Sequence, residues 1–88
     1  MKIEWDPVKN ERLKKARGIS FEEILEAKFI KREKHPSKEL QERILVEWMD
    51  YIWVVPFVRT SDGIFLKTIY PSRKYTKQYR EAKRHEKN

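Results

Sequence analysis

Three runs crowded with β-branched and aromatic side chains leave this chain few ways to fold. They are Arg43 to Trp48, Tyr51 to Val58 and Ile64 to Tyr70. Such residues favour a pleated, half-buried surface. Only Met49-Asp50 separates the first two runs, which calls for a tight two-residue hairpin. Ser61-Asp62-Gly63 supplies the turn before the third. An antiparallel meander follows directly. Pro56 falls inside the middle run and has no N–H to give a ladder, so a bulge or a locally unpaired stretch is expected there.

The residues before the meander read as strand, helix, helix and loop. Lys2-Ile3-Glu4-Trp5 alternates like a short strand. Asp6 is placed as an N-cap with Pro7 at the first helical position, and the helix runs to about Arg17, where Gly18 takes the left-handed cap. Ser20-Phe21-Glu22-Glu23 forms a capping box, with Ile19 stapled onto Ile24. The second helix is expected to reach about Ile30. Residues 31–40 are polar and hold His35-Pro36, so they read as a loop. After the meander, Pro71 stops the last strand and Ser72 caps a final helix. The expected fold is α+β, one domain over residues 1–88 with the order β-α-α-β-β-β-α. It is a small antiparallel sheet with helices on one face, leaving the opposite face free for work.

Charge is the second constraint. The formal net charge is +7, and residues 67–88 hold eight basic and two acidic side chains. Nearly all the net charge therefore sits in the last quarter of the chain, the footprint expected of a polyanion binder. The bland alternative is a solvated helix. The tail lacks a strong apolar face, which argues against a membrane surface. There is no cysteine, so disulfides, thiolate metal sites and a cysteine nucleophile are excluded. No apolar stretch approaches a membrane helix, and the N-terminus lacks the apolar core of a signal peptide. A cytoplasmic location is expected, with no cofactor and no metal.

Enzyme motifs are scarce. His35 precedes a proline and His85 lies near the end, so both read as structural or incidental. Asp6, Asp50 and Asp62 fit caps and turns. The informative stretch is Lys67 to Lys74. Alternation puts Phe65, Lys67 and Ile69 on one face of the last strand, with Ile64, Leu66, Thr68 and Tyr70 on the other. Lys67 is either an edge-strand guard against aggregation or a cation aimed at phosphate. Ser72-Arg73-Lys74 follows where strand becomes helix, and amides, a hydroxyl and two cations there suit an anionic phosphate. Tyr70, Tyr75 and Tyr79 offer rings for base stacking, although Tyr75 and Tyr79 share a helix face that equally suits packing on the core. Arg59, Lys77 and Arg80 complete the candidate nucleic-acid contacts.

Two strings near the start, Ile3-Glu4-Trp5-Asp6-Pro7-Val8-Lys9-Asn10 and Gly18-Ile19-Ser20-Phe21-Glu22-Glu23, resemble the opening of the BrnT-type toxins of bacterial type II toxin–antitoxin pairs. Val55-Pro56-Phe57-Val58, Phe65-Leu66-Lys67-Thr68-Ile69 and Pro71-Ser72-Arg73-Lys74 resemble one branch of that family, as does His35-Pro36 before the meander. The resemblance covers almost the whole chain in order. It implies a RelE-like fold and a small metal-independent ribonuclease that halts translation. It also implies a cognate ribbon-helix-helix (CopG-like) antitoxin, and an operator DNA bound by the pair together. Much of the family has Lys-His-Gly where this chain has Ala16-Arg17-Gly18, so no role of that histidine transfers.

RNA can be cut without metal when its own 2′-hydroxyl attacks the adjacent phosphate. A base must take the proton, cations must meet the added charge, and an acid must protonate the leaving oxygen. Lys67 and Arg73 are the candidates for charge stabilisation, and Ser72 and Lys74 for positioning the phosphate. Tyr70, Glu47 or a lysine of lowered pKa are the candidate bases. A non-catalytic nucleic-acid-binding module uses the same cations, and so does a surface for an acidic protein partner.

Overall fold

The computed structural model describes residues 1–86; Lys87 and Asn88, counted in the basic tail, lie outside the described residues. The chain starts as the sequence leads one to expect. Strand β1 (Lys2–Trp5) is followed by α1 (Pro7–Arg17). The Asp6 carboxylate accepts from the Val8 amide at 2.9 Å, and Gly18 closes the helix at φ 67°. Helix α2 (Phe21–Glu26) opens with the complete capping box: Ser20 Oγ accepts from the Glu23 amide at 3.1 Å, and Glu23 Oε1 accepts from the Ser20 amide at 2.9 Å. Buried Asn10 ties the two helices together, accepting from the Phe21 amide at 2.8 Å and donating to Glu22 at 2.7 Å.

The second helix is shorter than expected. Ala27 takes an extended conformation, and residues 28–34 form a strand, β2 (Lys28–Lys34), where a helix end and a loop were expected. The meander proper is β3 (Gln41–Trp48), β4 (Tyr51–Arg59) and β5 (Gly63–Leu66), after which β6 (Tyr70–Pro71) and α3 (Arg73–Glu86) complete the chain. The observed order is therefore β-α-α-β-β-β-β-β-α. The sheet is mixed rather than purely antiparallel. Its strands run β1-β5-β4-β3-β2, β1 pairs with β5 in parallel, and β6 pairs with β4. Gly63 permits the parallel contact, since a Cβ there would lie 1.7 Å from the Lys2 carbonyl oxygen.

At Pro56 the structure has the locally unpaired stretch rather than the bulge, and the last strand of the meander departs from expectation. The β3–β4 register runs unbroken through Arg43 opposite Pro56, so there is no bulge at the proline. The Pro56 carbonyl accepts from the Lys67 amide at 2.8 Å. A strand residue's N and O point to the same neighbour. The missing N–H therefore faces the interrupted ladder between β5 and β6, where it costs nothing to β3. The register shift of the sheet falls instead between Phe29 and Lys31. The expected strand Ile64 to Tyr70 is in fact split at residues 67–69, held by Arg17 Nη1 donating to the Ile69 carbonyl at 3.0 Å. The break shifts the phase. Ile69 joins Ile64 and Leu66 on one face, and Tyr70 turns to the other.

Both faces of the sheet are covered in part, which corrects the expectation of helices on one face only. α1 and α2 cover the face carrying Val46, Val55, Phe57, Ile64 and Leu66, with Phe21 and Ile19 fully buried in that core. α3 packs on the opposite face, where Leu45, Ile52 and Val54 meet Tyr70, Tyr75 and Tyr79. Burying side chains of this size stabilises the fold by about 1.5–3 kcal/mol each. The end of this face beyond α3 holds Arg43 and Pro56, both largely buried, and the exposed Lys67.

Candidate nucleic-acid interface

Backbone register draws a row of residues across one end of the α3 face. Glu33 of β2 pairs with Arg43 of β3, Arg43 pairs with Pro56 of β4, and the Pro56 carbonyl holds the Lys67 amide. Directly paired residues share a face. Arg43 reaches α3, so the row lies on the α3 side. Lys67 belongs there too. Its Nζ sits 6.0 Å from the ring centroid of Phe65, which pairs with Val58, two residues from Pro56.

The first turn of α3 closes one end of this floor. The Tyr75 hydroxyl donates to Glu33 Oε1 at 2.6 Å and accepts from Arg43 Nη2 at 2.9 Å, and Arg43 Nε donates to the same carboxylate at 2.8 Å. The Tyr75 bond, together with Arg43 and Lys31, holds Glu33 below the usual carboxylate range against the burial that would raise it. Tyr75 is shifted the other way, first by its bond to Glu33 and then by burial. At neutral pH the cluster therefore comprises a carboxylate, a guanidinium and a protonated phenol. Lys31, Arg43 and Lys74 place their charges 5.6, 5.6 and 5.9 Å from the Tyr75 ring centroid.

The structure sorts the candidate residues into separate groups. Lys67, Tyr70, Lys74 and Tyr75 lie on the floor side of α3. Arg73, Lys77 and Arg80 line a cleft beside Tyr51 on the opposite flank. Lys67 and Arg73 are thus not brought together as the sequence reading pairs them. Ser72 spends its hydroxyl as the cap of α3, accepting from the Tyr75 amide at 3.1 Å. Tyr75 and Tyr79 have their rings against the sheet; the Tyr79 hydroxyl donates to Glu47 at 3.2 Å and accepts from Lys28 Nζ at 3.1 Å. Packing on the core is therefore what these two rings do. Glu47, a candidate base, is engaged there under α3. Arg59 lies at the far end of β4 in a two-pronged pair with Glu42, at 2.6 and 3.2 Å. Arg80 donates to the Asp50 carbonyl at 2.8 Å.

Sequence reasoning missed Glu33 and Arg43. Glu33 fell in the stretch read as a loop, and Arg43 looked like the polar start of a strand. The available signal was the alternation of β2, hidden among five charged residues in seven. His35 accepts from the Ser37 and Lys38 amides and so acts as a turn cap. Among the described residues, Lys67, Arg73, Lys74 and Lys77 have no carboxylate within 4.0 Å, and no three His, Asp or Glu side chains gather as metal ligands would. No described helix is long and apolar enough to cross a membrane. No protein-family model matches the chain, nor does any curated protein or solved structure.

Proposed function

We propose that this chain is the toxin of a type II toxin–antitoxin pair. In this reading it is a RelE-like, metal-independent ribonuclease of the cytoplasm that halts translation, neutralised by a cognate ribbon-helix-helix antitoxin with which it binds operator DNA. The resemblance of its motifs to the BrnT-type toxins supports the family. The observation that carries the activity is the row Glu33–Arg43–Pro56–Lys67 beside Tyr75, which ends at the sheet surface in the exposed Lys67. Lys67 and Lys74, exposed and without a carboxylate within 4.0 Å among the described residues, stand at this end of the sheet.

On this floor Lys67 meets the charge that grows on the phosphate, with Arg43 behind it and Lys74 positioning the strand. Tyr75 is protonated and gives its one proton to Glu33, so its part is to hold Glu33 and Arg43 in place. Glu33, held low, is a weak base, which leaves Tyr70, on the same face, as the candidate. The test is cleavage of RNA in chelator by purified wild type and by Lys67→Ala. Cleavage by wild type alone supports the reading. RNA bound but left intact by wild type, with or without translating ribosomes, makes the chain a non-catalytic nucleic-acid-binding module instead.

A further inference from the structure

We infer that the far flank of α3 is a track for the phosphodiester backbone of single-stranded RNA, with Tyr51 as the platform for one base. The inference rests on the reading of the chain as RNA-acting, but on residues apart from the sheet floor. Arg73, Lys77, Arg80 and Arg84 recur at spacings of four, three and four, so they align along one flank of the helix. At 1.5 Å per residue they extend over about 16 Å. Phosphates of one strand lie roughly 3.4 Å apart when stacked and farther apart when drawn out, so the stripe meets several of them.

The stripe faces a cleft of about 250 Å³ whose other wall is Tyr51. Among the described residues, Arg73, Lys77, Arg80 and Arg84 have no carboxylate within 4.0 Å, although Glu81 sits on the rim. Arg80 gives one N–H to the Asp50 carbonyl, which fixes the guanidinium at the cleft. The Tyr51 ring is half-buried and braced edge-on against Trp53, at 6.3 Å and 66°. Trp53 is braced in turn on Trp48 and donates to its carbonyl at 3.0 Å. A ring held this way accepts a base with little further ordering, and stacking of one base is worth roughly 1–3 kcal/mol. Only an unpaired base can present its face to it, which selects a single strand over a duplex. Among the described residues, those of α3 that line the cleft include no apolar side chain to insert into a lipid surface.

The test uses the full chain and a fluorescent single-stranded 2′-O-methyl oligonucleotide, which cannot be cut by 2′-hydroxyl attack. Anisotropy is followed over a range of salt. Lys77→Ala with Arg84→Ala is expected to weaken binding about tenfold at low salt. It should also reduce the slope of log affinity against log salt by roughly 1.4, at 0.7 per lost phosphate contact. Tyr51→Leu is expected to weaken binding by about tenfold while leaving the salt slope unchanged. Wild-type affinity and slope in the double variant would overturn the track. So would a duplex of the same sequence that binds as tightly and loses as much, or an acidic polypeptide that displaces the oligonucleotide while Tyr51→Leu changes nothing. Cleavage of natural RNA by wild type, scored separately, keeps the two readings apart. A chain that cuts but does not hold the oligonucleotide loses the track, and a chain that holds it through these residues but never cuts loses the ribonuclease.

Discussion

The amide of Ile52 donates to the hydroxyl of Thr76 at 2.8 Å, and that hydroxyl in turn donates to the Ser72 carbonyl at 2.6 Å. β6 pairs only with Trp53 and Val54, so the next ladder position on β4 has no strand beside it. Ser72 and Thr76 take the strand's place, the Ser72 amide donating to the Ile52 carbonyl at 2.9 Å. This junction sets where α3 lies. It presents Tyr75 to the floor and Arg73 to the cleft.

Thr76→Val keeps the shape of the side chain and removes the acceptor, leaving a buried Ile52 amide unpaired. Such a loss costs about 1–3 kcal/mol. Urea unfolding should show that drop, while Thr76→Ser should stay closer to wild type. A valine variant within about 0.5 kcal/mol of wild type would mean that the junction does not hold α3.

Glu33 gives the fold a pH dependence whose sign is fixed. Its folded pKa is lowered, so its contribution is fully present above the unfolded value, near about 4.3, and is lost as pH falls through the folded value. Glu33→Gln should be the less stable protein at pH 7, because Arg43 then lies largely buried without its carboxylate. The gap between wild type and variant should narrow as pH falls below about 4. Thermal unfolding at a series of pH values reads this directly, and a gap constant down to pH 3 would contradict the geometry.

The parts of the fold that local chemistry decides were legible. Asp6, Ser20 and Ser72 cap the three helices as their side chains suggest, and Met49-Asp50 makes the expected hairpin. What long-range pairing decides was not. β2 has only Phe29 and Ile30 as apolar residues, and it is a strand because β3 lies beside it. Losing β2 as a strand hid Glu33, and with it the role of Arg43. The split between β5 and β6 depends on Arg17, 52 residues away, gripping the Ile69 carbonyl. The same split explains why alternation put Ile69 on the wrong face.

The hairpin carries strain that can be relieved. Met49 and Asp50 hold φ of 52° and 60°, which residues with a Cβ adopt at some cost. Met49 is 77% exposed, so little packing depends on it, and the Arg80 contact is to the Asp50 main chain. Met49→Asn together with Asp50→Gly matches what such a turn favours and should raise stability by about 1 kcal/mol. A shift of the denaturant midpoint to lower concentration would show that the two side chains do something the backbone does not reveal.

Gly63→Ala should act in the opposite direction. The new methyl group meets the Lys2 carbonyl, and β1 must move away from β5. A loss of about 2 kcal/mol is expected, in the range of overpacked sites. Amide exchange should rise first in β1, where Lys2 donates to the Asp62 carbonyl at 2.9 Å. Unchanged protection at β1 would mean that the parallel pair is looser than its register implies.

Lys67 and Arg73 lie on different sides of α3, so their variants should differ in kind. Lys67 stands on the floor, next to the phosphate that reacts in the proposed chemistry. Lys67→Ala should lower kcat on the order of 10²-fold, the usual loss when a donor to a developing charge is removed. Arg73 lines the cleft, where, in the proposed track, it would grip substrate equally before and during reaction. Arg73→Ala should therefore raise KM about tenfold with kcat largely kept. Both side chains are exposed, so neither variant should shift the unfolding midpoint appreciably. Single-turnover cleavage at saturating RNA separates the two effects. A kcat defect in Arg73→Ala equal to that of Lys67→Ala would move the reacting phosphate to the cleft and leave the sheet floor as a binding surface.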